Sequence, residues 1–273
     1  MATAYRQHST GLSGGAVDAE PSIVVRDLGK TFDNGVRAIS SATLHVASGE
    51  FVSIVGESGC GKSTLLRIVA GLTPPSDGSV EVSGTRVVGP RRDVGLMFQR
   101  PALLDWKTAL ENALLPVGIH RRVTRADVSE AMGLLELFGL KGSEFRFPRQ
   151  LSGGMQQRVA LARLLMTGAQ VRLLDEPFGA VDELTREHLN VELLRIHDLD
   201  VSATLLVTHN ITEAVLLSDR VIVMGPRPGR VVGDIAVNLP RPRSAETTQS
   251  QEFQRLVGAV RARLVEDSNG GAA

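Results

Sequence analysis

Phe51–Thr64 reads "FVSIVGESGCGKST": a β-type run passes straight into a glycine-rich turn that ends on Gly-Lys-Ser-Thr. Gly56 to Ser63 fills G-x-x-x-x-G-K-[ST] at every position, between a strand and the start of a helix, where such a loop has to sit. Gly56, Gly59 and Gly61 let the backbone curl, so that the N–H groups of Glu57, Ser58, Cys60 and their neighbours through Thr64 point at phosphate oxygens. The positive end of the following helix adds to that field. Lys62 is placed to reach β- and γ-phosphates, and Ser63 offers a hydroxyl to Mg²⁺. Cys60 serves as a small residue in a crowded turn.

Working outward from this loop, the N-terminal side supplies "SIVVRDL" and "RAISSATLHVA", both β-type. Residues 1–21 are rich in Ser, Gly, Ala and Thr without periodicity and read as a flexible tail. On the other side a helix runs from Gly61 to about Gly71, ended by Pro74-Pro75. "GSVEVSG" and "DVGLMF" are further strands, and from Ala109 to about Phe147 the pattern turns helical. Thr124 or Asp127 could cap that helix. Strand 171–174, helix 183–197, strand 203–208, helix 211–217 and strand 220–224 then alternate, which predicts a parallel sheet with crossover helices. The stretch "GPRPGRVVGDIAVNLPRPR" reads as turn-rich, and "SQEFQRLVGAVRARLVE" as a terminal amphipathic helix.

Two predicted strands end on polar groups of the kind that surround a phosphate. Asp175 and Glu176 close "VRLLDEP", at the carboxyl edge where open α/β sheets bind ligands. The reading gives Asp175 the Mg²⁺ through water, and gives Glu176 the attacking water as general base. His209 closes "LLVTHN" and is assigned to the γ-phosphate. Gln99, after "VGLMF", carries little weight by itself. Arg172, inside an apolar strand, has no evident partner.

A second anion seat appears at Leu151–Arg163, "LSGGMQQRVALAR", with Ser152 as N-cap and Gly153 and Gly154 allowing close approach. It has no lysine equivalent and no metal-binding hydroxyl. One chain needs one γ-phosphate seat per ATP, so the economical inference is that this loop closes over a nucleotide held by a second copy. Two chains head to tail would then share two ATPs across an isologous interface. The copy "LSGG" at 12–15 lies in the Gly/Ser-rich tail with no helix after it, and is read as chance recurrence.

The bulk numbers agree with a soluble globular protein. Thirty basic and thirty acidic residues cancel, so no overall field steers the chain toward nucleic acid or an anionic membrane. No apolar run approaches the roughly 18–20 residues of a membrane span, and no secretory apolar region follows the start. A single cysteine excludes an intrachain disulfide.

The order of phosphate loop, Gln99, "LSGGMQQR", "LLDEP", Asp182 and His209 resembles the nucleotide-binding subunit of an ABC transporter over roughly residues 22–240. That resemblance implies an α/β fold in three parts: a RecA-like P-loop core, an antiparallel β-subdomain and an inserted α-helical subdomain near 100–165. A C-terminal extension with an amphipathic helix occupies 241–273. The resemblance further implies that Phe32 stacks on adenine, and that Gln99, as a further Mg²⁺ ligand, links the Mg²⁺/γ-phosphate site to the helical subdomain. It places Ser152, Gly153 and Gly154 on the opposing ATP, with Asp182 communicating across a homodimer.

"FQRPALLDWKTALENALLP", "DEPFGAVDELTR" and "RPGRVVGDIAVNLPRPR" are similar to the importers of nitrate, taurine and alkanesulfonates. Such ATPases sit on the cytoplasmic face of the membrane, paired with permease subunits and, indirectly, a solute-binding protein. Trp106 would lie near the permease's coupling groove, or simply pack in the core. Asp105 stands where Pro is common, Asn210 where Asp is usual, and Phe32 where Tyr is more frequent. None of these removes a catalytic group. The competing reading is a soluble ABC ATPase acting elsewhere than at a membrane; a kinase, a GTPase and a non-hydrolysing ATP-binding module fit the motif set less well.

Overall fold

The computed structural model describes residues 21–270, with side chains described to Asp267. The predicted tail, apart from Pro21, and the "LSGG" copy at 12–15 lie outside the described residues. The chain begins with β1 (Pro21–Thr31), β2 (Arg37–Ala47), β3 (Phe51–Gly56) and α1 (Lys62–Val69). Next come β4 (Asp77–Val82), β5 (Thr85–Arg86) and β6 (Val94–Met97). A helical stretch follows, with α2 (Ala109–Ala113), α3 (Leu115–His120), α4 (Arg125–Leu137) and α5 (Gly153–Leu165). Alternation then resumes as β7 (Val171–Asp175), α6 (Glu183–Asp198), β8 (Ala203–Val207), α7 (Ile211–Leu217) and β9 (Arg220–Met224). The described chain ends with β10 (Gly229–Ala236) and α8 (Gln251–Gly270).

The strands join one mixed sheet in the order β5-β4-β1-β2-β10-β9-β3-β8-β7-β6. From β9 to β6 the neighbours are parallel. The other flank, β2-β1-β4-β5, is antiparallel. Burial follows this division. Every residue of β3, β7 and β8 is buried, as parallel strands covered on both faces must be. The latter part of β2 alternates buried with exposed, the pattern of a sheet with one wet face.

The structure corrects the sequence reading at two places. The segment read as turn-rich contains β10, which pairs antiparallel with β9 and parallel with β2, and so bridges the two halves of the sheet. Its flanking prolines and its two glycines hid it. One of those glycines is there for space: a Cβ on Gly229 would stand 2.0 Å from the Cys60 carbonyl oxygen of the phosphate loop. The helical run expected from Ala109 to about Phe147 is three separate helices that end at Leu137. Thr108 and Thr124 each start a new helix through a capping box, with Glu111 and Asp127 respectively. Beyond Leu137, Gly139 and Gly142 turn the chain with positive φ.

Arg172 has its partner in Asp200, on the loop between α6 and β8, with which it forms an ion pair. Its side chain is 4% exposed, against 26% for the aspartate, so the pair runs from the sheet interior to the surface. A second buried arginine ties the C-terminal segment to the core. Arg243 donates to the carbonyls of Leu216, Ser218, Val237 and Leu239, at 2.7 to 3.3 Å. Burial draws its pKa below the usual guanidinium value. Around it Phe253, Leu256, Val257 and Val260 of α8 pack on Ala214, Val215 and Leu216 of α7 and on Val55 of β3. Arg243→Met leaves those carbonyls without their donor. It is expected to cost roughly 3 kcal/mol, read as a lower urea midpoint at unchanged slope. A loss below about 1 kcal/mol would mean that the carbonyls find other donors.

Candidate active site

The four adjacent strands β3, β8, β7 and β6 end side by side, and each hands a polar group to the same edge. From β3 the chain turns into the phosphate loop, where Gly59 and Gly61 take φ of 80° and 106°. A side chain at Gly61 would be strained and would also stand 2.8 Å from the Ala38 carbonyl oxygen. Lys62 is 5% exposed, and its ammonium donates to the Gly56 and Glu57 carbonyls, each at 2.7 Å. The Cys60 thiol, 1% exposed, lies 3.7 Å from the same nitrogen. An ammonium has three donors, so the loop itself holds Lys62 in the seat where a phosphate would meet it.

Ser63, in the first turn of α1, donates its hydroxyl to Asp175 Oδ1 at 2.9 Å, which brings two of the three predicted metal groups together, while the third, Gln99, bonds Glu176. Burial pushes the Asp175 carboxyl up, against the pull of that hydrogen bond. A hydroxyl and a carboxylate are hard oxygen donors of the kind Mg²⁺ takes, usually with the remainder supplied by phosphate and water. Among the described residues no group of three or more His, Cys, Asp or Glu side chains is placed to hold a metal.

Glu176 sits at φ 47°, in the left-handed region. Such a conformation costs a non-glycine residue about 1 kcal/mol or more and is held only where the surroundings over-determine it. Here its N–H donates to the Val207 carbonyl of β8 at 2.8 Å, which fixes the turn. The carboxylate is thereby presented to two neighbours. Gln99 Nε2 donates to Oε2 at 3.1 Å, and His209 Nδ1 lies 3.3 Å from Oε1. Gln99 and His209, from two other strand ends, thus converge on the one carboxylate.

Ser152 Oγ accepts from the Met155 N–H at 3.3 Å and caps α5. Its loop packs on the turn that follows Glu176 in the same chain: Gln157 Oε1 accepts from the Ala180 N–H at 2.9 Å. A Cβ on Gly154 would stand 3.1 Å from the Ala180 carbonyl oxygen. Ser152, Gly153 and Gly154 thus meet Met155 and Ala180, not Lys62 or Ser63. Asp182 caps α6, accepting from the Thr185 N–H at 3.0 Å, and that bond holds its carboxyl below the usual range. Phe32 is 39% exposed after β1, with the Lys30 ammonium 5.3 Å from its ring centre. Trp106 is 73% exposed and so is not a core residue.

Sequence reasoning missed two members of this region. Thr208 is buried beside His209, and its hydroxyl accepts from the Asn210 N–H at 3.0 Å. Glu213 is buried in the first turn of α7, its N–H capped by Asn210 Oδ1 at 3.0 Å. The spacing Asn210-x-x-Glu213 is a helix-start signature and was the available signal.

The family model described as ABC transporter matches residues 39–179. An uncharacterized ABC transporter ATP-binding protein of Methanocaldococcus jannaschii is 41% identical over 236 residues, covering 85% of this chain and 88% of its own length. The aliphatic sulfonates import ATP-binding protein SsuB of Bacillus subtilis is 41% identical over 219 residues, covering 80% of this chain and 85% of its own. Among solved structures, a dimeric ATP-binding cassette in a post-hydrolysis state with ADP and Pi has a TM-score of 0.72 at 31% identity. It covers 80% of this chain and 100% of its own.

Proposed function

The chain belongs to the ABC transporter family as an ATP-binding, ATP-hydrolysing subunit, and on that footing we propose that it energises uptake of a small anion or organic solute, of the nitrate, sulfonate or taurine type, through a partner permease. The observation that carries the catalytic part is the meeting of Gln99, Glu176 and His209 at the strand ends beside the phosphate loop. In this reading Lys62 and the N–H groups from Gly56 to Thr64 hold the phosphates. Mg²⁺, held by Ser63, by Gln99 and, through water, by Asp175, would screen their charge and orient them. Glu176 takes the proton of the attacking water, His209 stabilises the γ-phosphate, and Gln99 positions the pair.

Ser152, Gly153 and Gly154 complete the site of a second copy, with Asp182 at the same interface, and Phe32 offers its open face to adenine. The proposed division of the chain is an ABC domain over 22–240, with its helical part near 100–165, and an extension over 241–273. Phosphoryl transfer of this kind depends mostly on positioning and electrostatics.

The import assignment rests on the relatives named for aliphatic sulfonates and on an exposed aromatic surface suited to a partner. Trp106 and Phe145 are 73% and 71% exposed. Ala109 and Leu110 donate to the carbonyls of Arg146 and Glu144 at 2.9 Å, which draws the two segments together. No described helix is long and apolar enough to cross a membrane. In this reading the partner permease supplies the span, and this chain lies against it on the cytoplasmic face, as the likeness to import ATP-binding proteins supports. Tagged protein drawn from detergent-solubilised membranes of its own host is expected to bring a multispan permease with it. If it dimerises on ATP yet brings no membrane protein, the soluble ATPase reading replaces this one.

A further inference from the structure

A buried carboxyl lies behind the histidine of the site and takes no part in the chemistry described above. Glu213 is 4% exposed, and its Oε1 is buried without a hydrogen-bond partner. The Thr208 hydroxyl favours the charged form of its carboxyl, against a larger opposing effect of burial. That hydroxyl oxygen already accepts from the Asn210 N–H at 3.0 Å, so its own hydrogen is free for Glu213. Asn210 Oδ1 accepts from the Glu213 N–H at 3.0 Å. Through these two bonds Asn210 ties Thr208 to the first turn of α7, around the short turn Thr208-His209-Asn210. On the other side, Thr208 is fixed to the sheet by its N–H on the Ile54 carbonyl at 3.2 Å.

We propose that Glu213 is a positioning residue for ATP hydrolysis, bracing through the Thr208 hydroxyl the turn that carries His209 onto Glu176. The inference deepens the hydrolytic reading of that site and rests on it. His209 itself has little else to hold it: its side chain is 60% exposed, and Nδ1 stands 3.3 Å from Glu176 Oε1. An exposed imidazole on a three-residue turn keeps its aim only if the turn is rigid. The buried flank of that turn is where Glu213 and Thr208 act.

The chemistry of the brace follows from its surroundings. The charged and titratable groups that face Glu213 are Arg186 of α6, His209 and Glu176. Arg186 is committed elsewhere, donating to Glu183 at 2.9 Å and to the Val181 carbonyl at 2.9 Å. With no dedicated cation, burial pushes the Glu213 carboxyl up to about 7. Below that pH the group is a neutral acid, with one donor and one acceptor. A glutamine side chain reproduces that hydrogen-bonding character, whereas methionine keeps only the volume.

The test is ATP hydrolysis by the purified full chain at pH 6.5, with ATP affinity measured alongside. Glu213→Met is expected to lower kcat about tenfold with KM and ATP affinity unchanged, because the phosphate loop hangs from a different strand. Glu213→Gln is expected to restore kcat to within about threefold of wild type. Glu213→Met at the wild-type rate would overturn the proposal, since volume alone would then suffice. A Gln variant no better than the Met variant would also overturn it. Should the Met variant fail to fold, the Gln variant decides alone: near-wild-type kcat supports the brace and a tenfold loss refutes it. The underlying site reading fails separately, if Glu176→Gln hydrolyses ATP normally.

Discussion

Glu176→Gln is expected to slow ATP turnover by about 10²- to 10⁴-fold while leaving ATP binding intact. The substitution keeps the size of the side chain and its place between Gln99 and His209, so the geometry that meets the nucleotide is retained. What disappears is the negative charge that makes the oxygen basic enough to take a proton from water. Binding rests on other residues: the Lys62 ammonium and the loop N–H groups belong to β3 and α1, whereas Glu176 follows β7. Phosphate release and ATP affinity should therefore separate in this variant. Turnover at the wild-type rate would remove Glu176 from the role of base and would point to another acceptor for the proton. Parallel loss of affinity and turnover would mean instead that the left-handed turn at Glu176, φ 47°, had collapsed and taken the site with it.

How much of this was legible depends on how locally each feature is encoded. The phosphate loop and the carboxylates after "VRLL" each follow an apolar run directly, and strands buried on both faces are easy to see. What the sequence could not supply is that β3, β8, β7 and β6 are neighbours, although they are far from consecutive along the chain. The resemblance to ABC subunits filled that gap, because it named Gln99, which alone means little. β10 was missed because its pairing, not its composition, makes it a strand: its two glycines are tolerated where β9 and β2 supply the hydrogen bonds. Arg172 was opaque because its partner, Asp200, lies 28 positions away. Glu213 was hidden in the open, since a glutamate in the first turn of a helix is the ordinary cap signature, and only its burial sets it apart.

The second large effect concerns Ser152. Ser152→Arg and Lys62→Ala are each expected to reduce ATP hydrolysis by about 10²-fold or more, because each removes a group aimed at phosphate charge. Mixed in equal amounts, the two inactive proteins should regain activity. If Ser152, Gly153 and Gly154 complete the opposite site, each mixed dimer has one site carrying both lesions and one carrying neither. Random pairing makes half of the dimers mixed, so about a quarter of the wild-type rate should return when sites act independently. The geometry of a single chain favours this result. The Ser152 loop is anchored to the turn at Ala180 through Gln157, while Lys62 is held by its own loop carbonyls. If instead each site were built within one chain, both partners would stay inactive in any mixture. Absence of recovery, with mixed dimers shown to form, would therefore discard the shared-site arrangement and leave the 151 loop without its second nucleotide.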